Sequence, residues 1–461
     1  MVQSRWLVLE LRFSCGKVGP MTDLVALSSR IIDSGHADEP VNRITNELSE
    51  LADGVSLVES FSHAASVSTA AGLVVFDTSG TRTGGRVVDA LRTWSTDPIH
   101  SIVYTHGHLD HVGGSGAFIA DGAARGHQRP TFLGHEAIKA RFARYRQTNG
   151  YNQVINARQF GGVPKSVVGE MGLGAERQFL PDDTAELDQS YRDHLSVTVG
   201  DTEFQLCHAK GETDDHTWTW IPDHKMIASG DLMIWNFPNC GNPQKVQRFP
   251  LEWAEALRAM AGQGAELFVP AHGLPIGGNA RIATVLNTIA GSLESLVALV
   301  LDAMNTGASL DEVIQGCTVP EATLKLPFMR PFYDEPEFVV HNIWRLYGGW
   351  WDGDAASLKP APNDSVAAEV AALAGGAMQL VERAQQLVDD GDFRLACQLI
   401  EWAGRAEPTS VAIHQARAQI YEARRKAETS LMAKGIYASA VAESKLVTDG
   451  DGSQSAQSVT W

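Results

Sequence analysis

The stretch 102–114, IVYTHGHLDHVGG, decides the fold of this chain. Its first residues, together with Ile99, are apolar and predict a buried strand that ends where a polar loop begins. Two histidines two residues apart can face one metal ion, while a following Asp and His face a second ion about 3.5–4 Å away. The loop therefore predicts a dinuclear metal site built from His106, His108, Asp110 and His111.

A solvated loop would explain one isolated histidine, but packing does not explain four ligand-type residues directly after a strand. The stretch resembles the metal-binding motif of the metallo-β-lactamase superfamily. That resemblance implies an α/β protein whose catalytic domain is an αβ/βα sandwich. It also implies a hydrolase that uses the two ions.

The residues before the motif predict strands at 54–60, 66–72 and 72–78, followed by a helix over 86–94. Asp77 closes the third of these strands and stands beside the metal loop. As a simple alternative it is a turn residue. The resemblance implies instead a carboxylate that orients the loop.

Further ligand-type residues follow predicted strands between residues 195 and 273. The alternating pattern of 195–206 predicts one strand, after which GETDDH (211–216), MIASGD (226–231) and LFVPAHG (267–273) each offer a candidate ligand. A strand-end Asp can bridge two ions, because its carboxylate has two oxygens. We predict zinc, with manganese or iron as alternatives, because the set combines imidazoles and carboxylates without thiolates. The first ion is assigned to His106, His108 and His216, the second to Asp110, His111 and His272, and Asp231 lies between them.

Composition excludes several other classes of function. The formal charge of −18 argues against nucleic-acid or membrane partners, since both require a basic surface. Five scattered cysteines without a C-x-x-C pair predict free thiols and a cytoplasmic protein. The sequence has no run of 18 apolar residues, so we expect no membrane-spanning helix. Neither a phosphate-binding loop nor a G-x-S-x-G motif is present.

The C-terminal third narrows the resemblance. The segment HNIWRLYGGWWDGDAASLKP (341–360) is similar to the one that precedes the dimerisation domain in the alkylsulfatase group of these metallohydrolases. The residues 364–430 that follow predict helices, among them a tetratricopeptide-like hairpin with Pro408 at its turn. One hairpin cannot bury its own apolar face, so a homodimer is expected. The predicted parts are an N-terminal extension (1–45), a catalytic domain (46–325), a Pro/Trp-rich linker (326–362), an α-helical dimerisation domain (363–443) and a disordered tail (444–461).

The resemblance implies hydrolysis of organic sulfate esters by a metal-bridging hydroxide. The expected partner is a small-molecule ester substrate. Alternatives are a thioester, lactone or phosphodiester hydrolase and a non-catalytic interaction protein. The chain departs from the alkylsulfatase group at two positions, because that group typically carries Glu where His216 is assigned and near Asp231. Alkylsulfatases also end in a further sterol-carrier-like domain. An arginine can grip a sulfate with two parallel hydrogen bonds. The expected catalytic and substrate-contacting residues are Asp110, Arg248, Asn236 and Asn239.

Overall fold

The computed structural model describes residues 23–160 and 178–449, which form two compact units. The first unit comprises 23–152, 178–308 and 312–349, and the second comprises 153–160, 309–311 and 350–449. The described part of the expected N-terminal extension contains one helix, α1, at Leu24–Ser34. Residues 1–22 of that extension and residues 450–461 of the expected tail lie outside the described residues.

Seven described strands of the first unit form a mixed sheet in the order β1 to β7. β1 to β4 are antiparallel neighbours, whereas β4 to β7 run parallel. This sheet confirms the three strands expected before the metal loop. Its strands are β1 (Leu48–Ala52), β2 (Val55–Val58), β3 (Ala64–Thr69), β4 (Gly72–Phe76), β5 (Ile99–Val103), β6 (Thr131–His135) and β7 (Gln189–Tyr191).

A second sheet has the order β13-β12-β11-β10-β9-β8 and is antiparallel except for the pair β11 and β12. Its strands are β8 (His194–Val199), β9 (Thr202–Ala209), β10 (His216–Ile221), β11 (Met226–Gly230), β12 (Leu267–Pro270) and β13 (Ile276–Gly277). The single strand expected over 195–206 was wrong. Gly200 adopts φ +62, which reverses the chain and makes a hairpin of β8 and β9.

Helices flank the two sheets and complete the αβ/βα sandwich. The rings of Phe76 in β4 and Phe204 in β9 approach within 6.3 Å, so the sheets share a core. The helix expected over 86–94 is confirmed, with Val87 and Leu91 buried. The helices between β4 and residue 349 are α2 (Gly84–Trp94), α3 (Leu109–Val112), α4 (Ser115–Ala124), α5 (Ala137–Gln147), α6 (Asn149–Gln159), α7 (Pro250–Ala261), α8 (Asn279–Asn305), α9 (Leu310–Gly316), α10 (Glu321–Leu324) and α11 (Pro336–Gly348). Residues 153–159 of α6 and 310–311 of α9 belong to the second unit.

One helix in the described part of the chain, α8, is long and apolar enough to cross a membrane by length and composition alone. We expected no spanning helix, because no run of 18 apolar residues occurs in the sequence. Its fully buried residues recur at helical spacing, as Ile282, Leu286, Ile289 and Leu293 show. This stripe is typical of a helix that packs one face against a protein core.

The second unit is helical and has an apolar core of its own, to which Ala384, Ile400, Ile413 and Ile420 contribute. The expected hairpin is thus part of a larger bundle, in which Leu380 and Leu387 are buried. Its helices are α12 (Asn363–Ala374), α13 (Ala377–Asp389), α14 (Phe393–Ala406), α15 (Val411–Ala427) and α16 (Leu431–Thr448).

The expected boundaries of the linker and the tail differ from the structure. Residues 326–349 belong to the first unit, because α11 buries Val339, Val340 and Ile343 there. The tail expected from Ser444 begins as helix, since α16 continues to Thr448.

Candidate metal centre

The loop after β5 presents four ligand-type side chains to one region. β5 is a buried strand that ends at Val103, and the chain then turns into α3, which begins after His108. His106 and His111 are fully buried, whereas His108 and Asp110 are partly exposed. The strand thus anchors the loop while its ligand atoms remain available.

The structure brings ligand atoms together in two groups. Within each group the atoms lie within 4.8 Å of one another. The first group consists of His106, His108, Glu212 and Asp231, and the second of Asp110, His111 and His272.

Asp231 connects the two groups through its two carboxylate oxygens. Its Oδ2 lies 3.9 Å from Nε2 of His106. Its Oδ1 lies 3.4 Å from Nε2 of His111 and 3.4 Å from Nε2 of His272. The carboxylate at the end of β11 is therefore placed to bridge two ions, as the sequence predicts.

Several ligand atoms of this centre are buried without a hydrogen-bond partner among the described residues. They include Nε2 of His111, Oδ1 of Asp231 and Oε2 of Glu212. Buried polar atoms are rarely left unpaired in proteins, since doing so costs about 1–3 kcal/mol for each group. These orphaned imidazole and carboxylate atoms point at shared positions, so the residues present fit metal ions.

Electrostatics agree with that fit. Burial lowers the pKa of His106 and His108 well below the usual value, so both rings are neutral and keep a lone pair for a metal. Burial also lowers the pKa of His272, but the charges of Asp231 and Asp110 outweigh it and raise this pKa to about 10. Asp231 and Asp110 thus favour a positive charge between them, and a bound cation would supply that charge.

A carboxylate at the end of β4 fixes the orientation of the metal loop. Oδ2 of Asp77 lies 2.7 Å from Nδ1 of His111, and it also accepts the hydroxyl of Thr105 at 2.7 Å. Oδ1 accepts the backbone N–H of Thr105 at 2.8 Å. Because Nδ1 of His111 faces Asp77, Nε2 is directed to the metal position.

A buried ion pair supports the same loop from the other side. Nε of Arg141 donates to Oδ2 of Asp215 at 2.6 Å, and the same oxygen accepts the N–H of Gly107 at 3.2 Å. Gly107 lies between the two histidines of the first group. The α5 residue Arg141 therefore stabilises the turn that separates these ligands.

Comparison with known proteins agrees with both units. Residues 61–272 match the family model of the metallo-beta-lactamase superfamily, and residues 309–446 match that of alkyl sulfatase dimerisation. Over residues 61–272 the chain is therefore similar to the metallo-beta-lactamase superfamily. The order of the two matched regions confirms the expected resemblance to its alkylsulfatase group.

Relatives of this chain include a linear primary-alkylsulfatase from Pseudomonas sp., 26% identical over 349 residues, which cover 73% of this chain and 65% of the relative. An (R)-specific secondary-alkylsulfatase from Pseudomonas sp. is 24% identical, with 74% and 53% covered. The solved structure of the stereoselective inverting sec-alkylsulfatase Pisa1 from Pseudomonas sp. superposes with TM-score 0.76 at 20% identity, covering 87% of this chain and 66% of that one. The chain thus spans between about half and two thirds of the length of these relatives.

Six of the seven metal ligands expected from the sequence lie in the two groups, and His216 does not. Its Nε2 accepts the N–H of Asp231 at 3.0 Å, and its ring stacks on His106. Glu212, four residues earlier, is in the first group, with Oε1 3.6 Å from Nδ1 of His108. A signal for it was available, since the alkylsulfatase group typically carries Glu as a ligand in this region.

Arg248 is buried and pairs with Glu212. Its Nη1 donates to Oε1 of Glu212 at 2.8 Å and also to the carbonyl of Asn239. The side-chain amide of Asn239 donates to the same carboxylate oxygen. Asn236 instead donates to the carbonyl of Ile234 at 3.3 Å. Of the expected substrate-contacting residues, Arg248 and Asn239 therefore adjoin the first ligand group.

Proposed function

We propose that this chain is a metal-dependent hydrolase of organic sulfate esters. The observation that supports this most is the pair of ligand groups that share Asp231. The names of the relatives support the sulfate ester, because each matched curated relative described above is called an alkylsulfatase.

We propose two zinc ions per chain, with manganese or iron as alternatives. His106, His108 and Glu212 would hold one ion, Asp110, His111 and His272 the other, and Asp231 would span both. When bound, the two ions would act as Lewis acids and lower the pKa of bound water from 15.7 toward ~7.

The role proposed for Arg248 follows from its position beside Glu212. Its Nη1 is taken by Glu212 and Asn239, whereas its Nε is buried without a hydrogen-bond partner among the described residues. A guanidinium has five donors, so one edge can hold the ligand Glu212 while another binds a sulfate oxygen. Arg248 would thus both position a metal ligand and neutralise the substrate.

Hydrolysis of an uncharged ester, such as a lactone or a thioester, is the second candidate. It is favoured by the pairing of Arg248 with Glu212, because that carboxylate already offsets part of the guanidinium charge. The same ligand groups would serve either reaction. The two candidates differ in the charge of the substrate, which is negative for a sulfate ester and zero for a lactone or a thioester.

We also propose a homodimer held by the second unit, in line with the match of 309–446 to a dimerisation family. The described cysteines Cys207, Cys240, Cys317 and Cys397 are free thiols, which supports a cytoplasmic location.

The test is a substrate panel with the purified full chain after zinc loading. The panel contains an alkyl sulfate, a lactone, a thioester and a phosphodiester. We expect the alkyl sulfate to be turned over with the highest kcat/KM. His108→Ala and His272→Ala each remove a ligand from a different group, so each should lower zinc content and abolish turnover.

Arg248→Ala separates the two candidate substrates. Loss of a charged partner of a bound anion should lower kcat/KM for the sulfate about thirty- to a thousandfold, or ~2–4 kcal/mol. A lactone should be affected less, provided that zinc content is unchanged. Equal losses on both substrates would assign Arg248 to holding Glu212 alone. Turnover unaffected by both histidine changes would contradict the proposed function.

A further inference from the structure

The segment that carries His272 is held by two ring N–H groups from other parts of the first unit. Nε1 of Trp235 donates to the carbonyl of Leu274 at 2.7 Å. Nε2 of His63 lies 2.8 Å from the carbonyl oxygen of Gly273. Since a carbonyl oxygen only accepts, this ring nitrogen of His63 carries the proton. The two carbonyls that follow His272 are thus both fixed by buried side chains.

The residue before His272 is fixed as well. The carbonyl of Ala271 accepts the backbone N–H of His63 at 2.7 Å. The backbone N–H of Ala271 donates to the carbonyl of Gly230 at 3.0 Å. The ring of Phe61 lies edge-on to the imidazole of His272, with centroids 5.1 Å apart. These contacts hold the backbone and the ring of His272 through protein groups.

Trp235 makes this contact from an uncommon backbone conformation. It adopts φ +56, which is rare for a bulky residue, and only 1% of it is exposed. Gly273 adopts φ +86, and a Cβ there would lie 2.4 Å from Cδ1 of the indole. The indole therefore fits directly against the backbone that follows His272. Trp235 itself lies four residues after the bridging Asp231.

We propose that Trp235 is a positioning residue for the second ligand group. Its indole N–H couples the loop after Asp231 to the segment of His272, and so sets the distance between these two ligands. The inference rests on the proposed metal binding, and it is independent of which ester is hydrolysed. Groups that orient ligands from outside the ligand set typically change metal affinity 10- to 100-fold when removed.

The experiment measures zinc dissociation constants of the full chain by competition with a chromophoric chelator. Trp235→Phe removes the N–H donor and keeps an aromatic ring. We expect one of the two ions to bind roughly 10- to 100-fold more weakly, with the other unchanged. In the His272→Ala background, where the first group still binds its ion, Trp235→Phe should leave the affinity for that ion unchanged within about twofold.

Trp253→Phe is the matched control. Trp253 is fully buried in the same unit and donates its indole N–H to the carbonyl of Leu232 at 2.8 Å, so it holds the loop beside Asp231, which spans both groups, without contacting the segment of His272 through that N–H. Both variants should lower the midpoint of urea unfolding, but only Trp235→Phe should weaken one ion selectively.

Two unchanged dissociation constants in Trp235→Phe would overturn the positioning role and leave the proposed function intact. An equal weakening in Trp253→Phe, or a weakening of the first ion in the His272→Ala background, would also overturn it. A wild-type chain that binds no zinc would overturn both proposals.

Discussion

Asp77 accepts three hydrogen bonds at the end of β4, and one of them holds the ring of His111. Its backbone adopts φ +61, which is uncommon outside glycine and asparagine. A residue held in this way at the edge of a site sets the direction of a ligand without touching the ion.

Asp77→Asn should weaken zinc binding about 10- to 100-fold, because the amide keeps the shape but loses the charge that makes His111 a stronger base. Chelator competition on the purified chain measures this. Asp121→Asn is the control, since Asp121 also accepts side-chain N–H groups, from Arg92 and Arg125, outside the ligand groups. Equal effects of the two substitutions would contradict the role of Asp77.

Glu59 gives a prediction about pH. Burial raises its pKa to about 7 despite the charge of Arg43, whose Nε lies 3.1 Å away. The folded chain therefore holds this proton up to about pH 7, whereas the unfolded chain releases it near 4.5. Between these values the folded state binds more protons, so stability is lost as pH rises through this window.

Urea unfolding of the wild type and of Glu59→Gln at pH 5 and pH 8 tests this. The amide cannot ionise, so the free energy of unfolding of the wild type should fall relative to the variant by on the order of 2–3 kcal/mol from the lower to the higher pH. A constant difference between the two proteins would show that Glu59 does not titrate in this range.

The choice between Glu212 and His216 shows what a sequence leaves open at this scale. Both are ligand types in the same six residues after β9. His216 is the first residue of β10, where it pairs with Ala209, whereas Glu212 lies in the bend between the strands. Which one reaches the metal position depends on the start of β10, and residue type alone does not define that start.

At the scale of elements, α2 meets the turn into α4 through two glycines. A Cβ on Gly84 would lie 2.5 Å from Cα and 2.9 Å from the carbonyl oxygen of Gly114, which directly follows the metal loop. Gly85 is the next residue of α2, and a Cβ there would have no heavy atom within 4 Å. Adjacent positions of one helix thus differ completely in the space they offer.

Gly84→Ala should destabilise the chain by about 1–3 kcal/mol, because backbone atoms must shift to admit the methyl group. Gly85→Ala should instead be neutral or stabilise by up to ~1 kcal/mol, since alanine is the better helix former. Urea unfolding of both variants measures the contrast. Similar free energies for the two would mean that α2 and the metal loop are not in close contact.

Elements were predicted best where a buried strand ends in ligand-type residues. β5, β11 and β12 each end one or a few residues before a ligand, so pattern and chemistry agree there. The hairpin of β8 and β9 was missed because each strand alternates by itself, although the apolar positions change phase between Val199 and Phe204 and the intervening Gly200 and Asp201 are typical turn residues. The helices of the second unit were predicted, but the burial of Leu380 among them was not, since it depends on how the helices pack against one another.

At the scale of the whole molecule, the second unit leaves apolar side chains on its surface. Val366 and Leu373 lie two turns apart on α12, and Leu373 is 82% exposed. Residues at this spacing share one side of a helix. Their burial against a second copy would contribute about 25 cal/mol per Å² of apolar area.

We expect the full chain to be a dimer in light scattering and the double substitution Val366→Glu, Leu373→Glu to make it monomeric. The physical reason is the cost of burying two charges in an apolar contact. Gln385→Glu adds a charge at an exposed position of α13 and serves as the control. A dimer that survives the double substitution would place the contact on another face, and a monomeric wild type would refute the dimer.

The bridging position of Asp231 has a consequence during synthesis on the ribosome. His106 to His111 leave the exit tunnel first, and the chain must grow to His272 before the second ligand group is complete. At about 5–20 residues per second this interval lasts on the order of ten to thirty seconds. Until residue 231 has been made the histidine-rich loop lacks its carboxylate bridge, and until residue 272 has been made the second group lacks one of its three ligands, so an ion captured early would be held by fewer ligands.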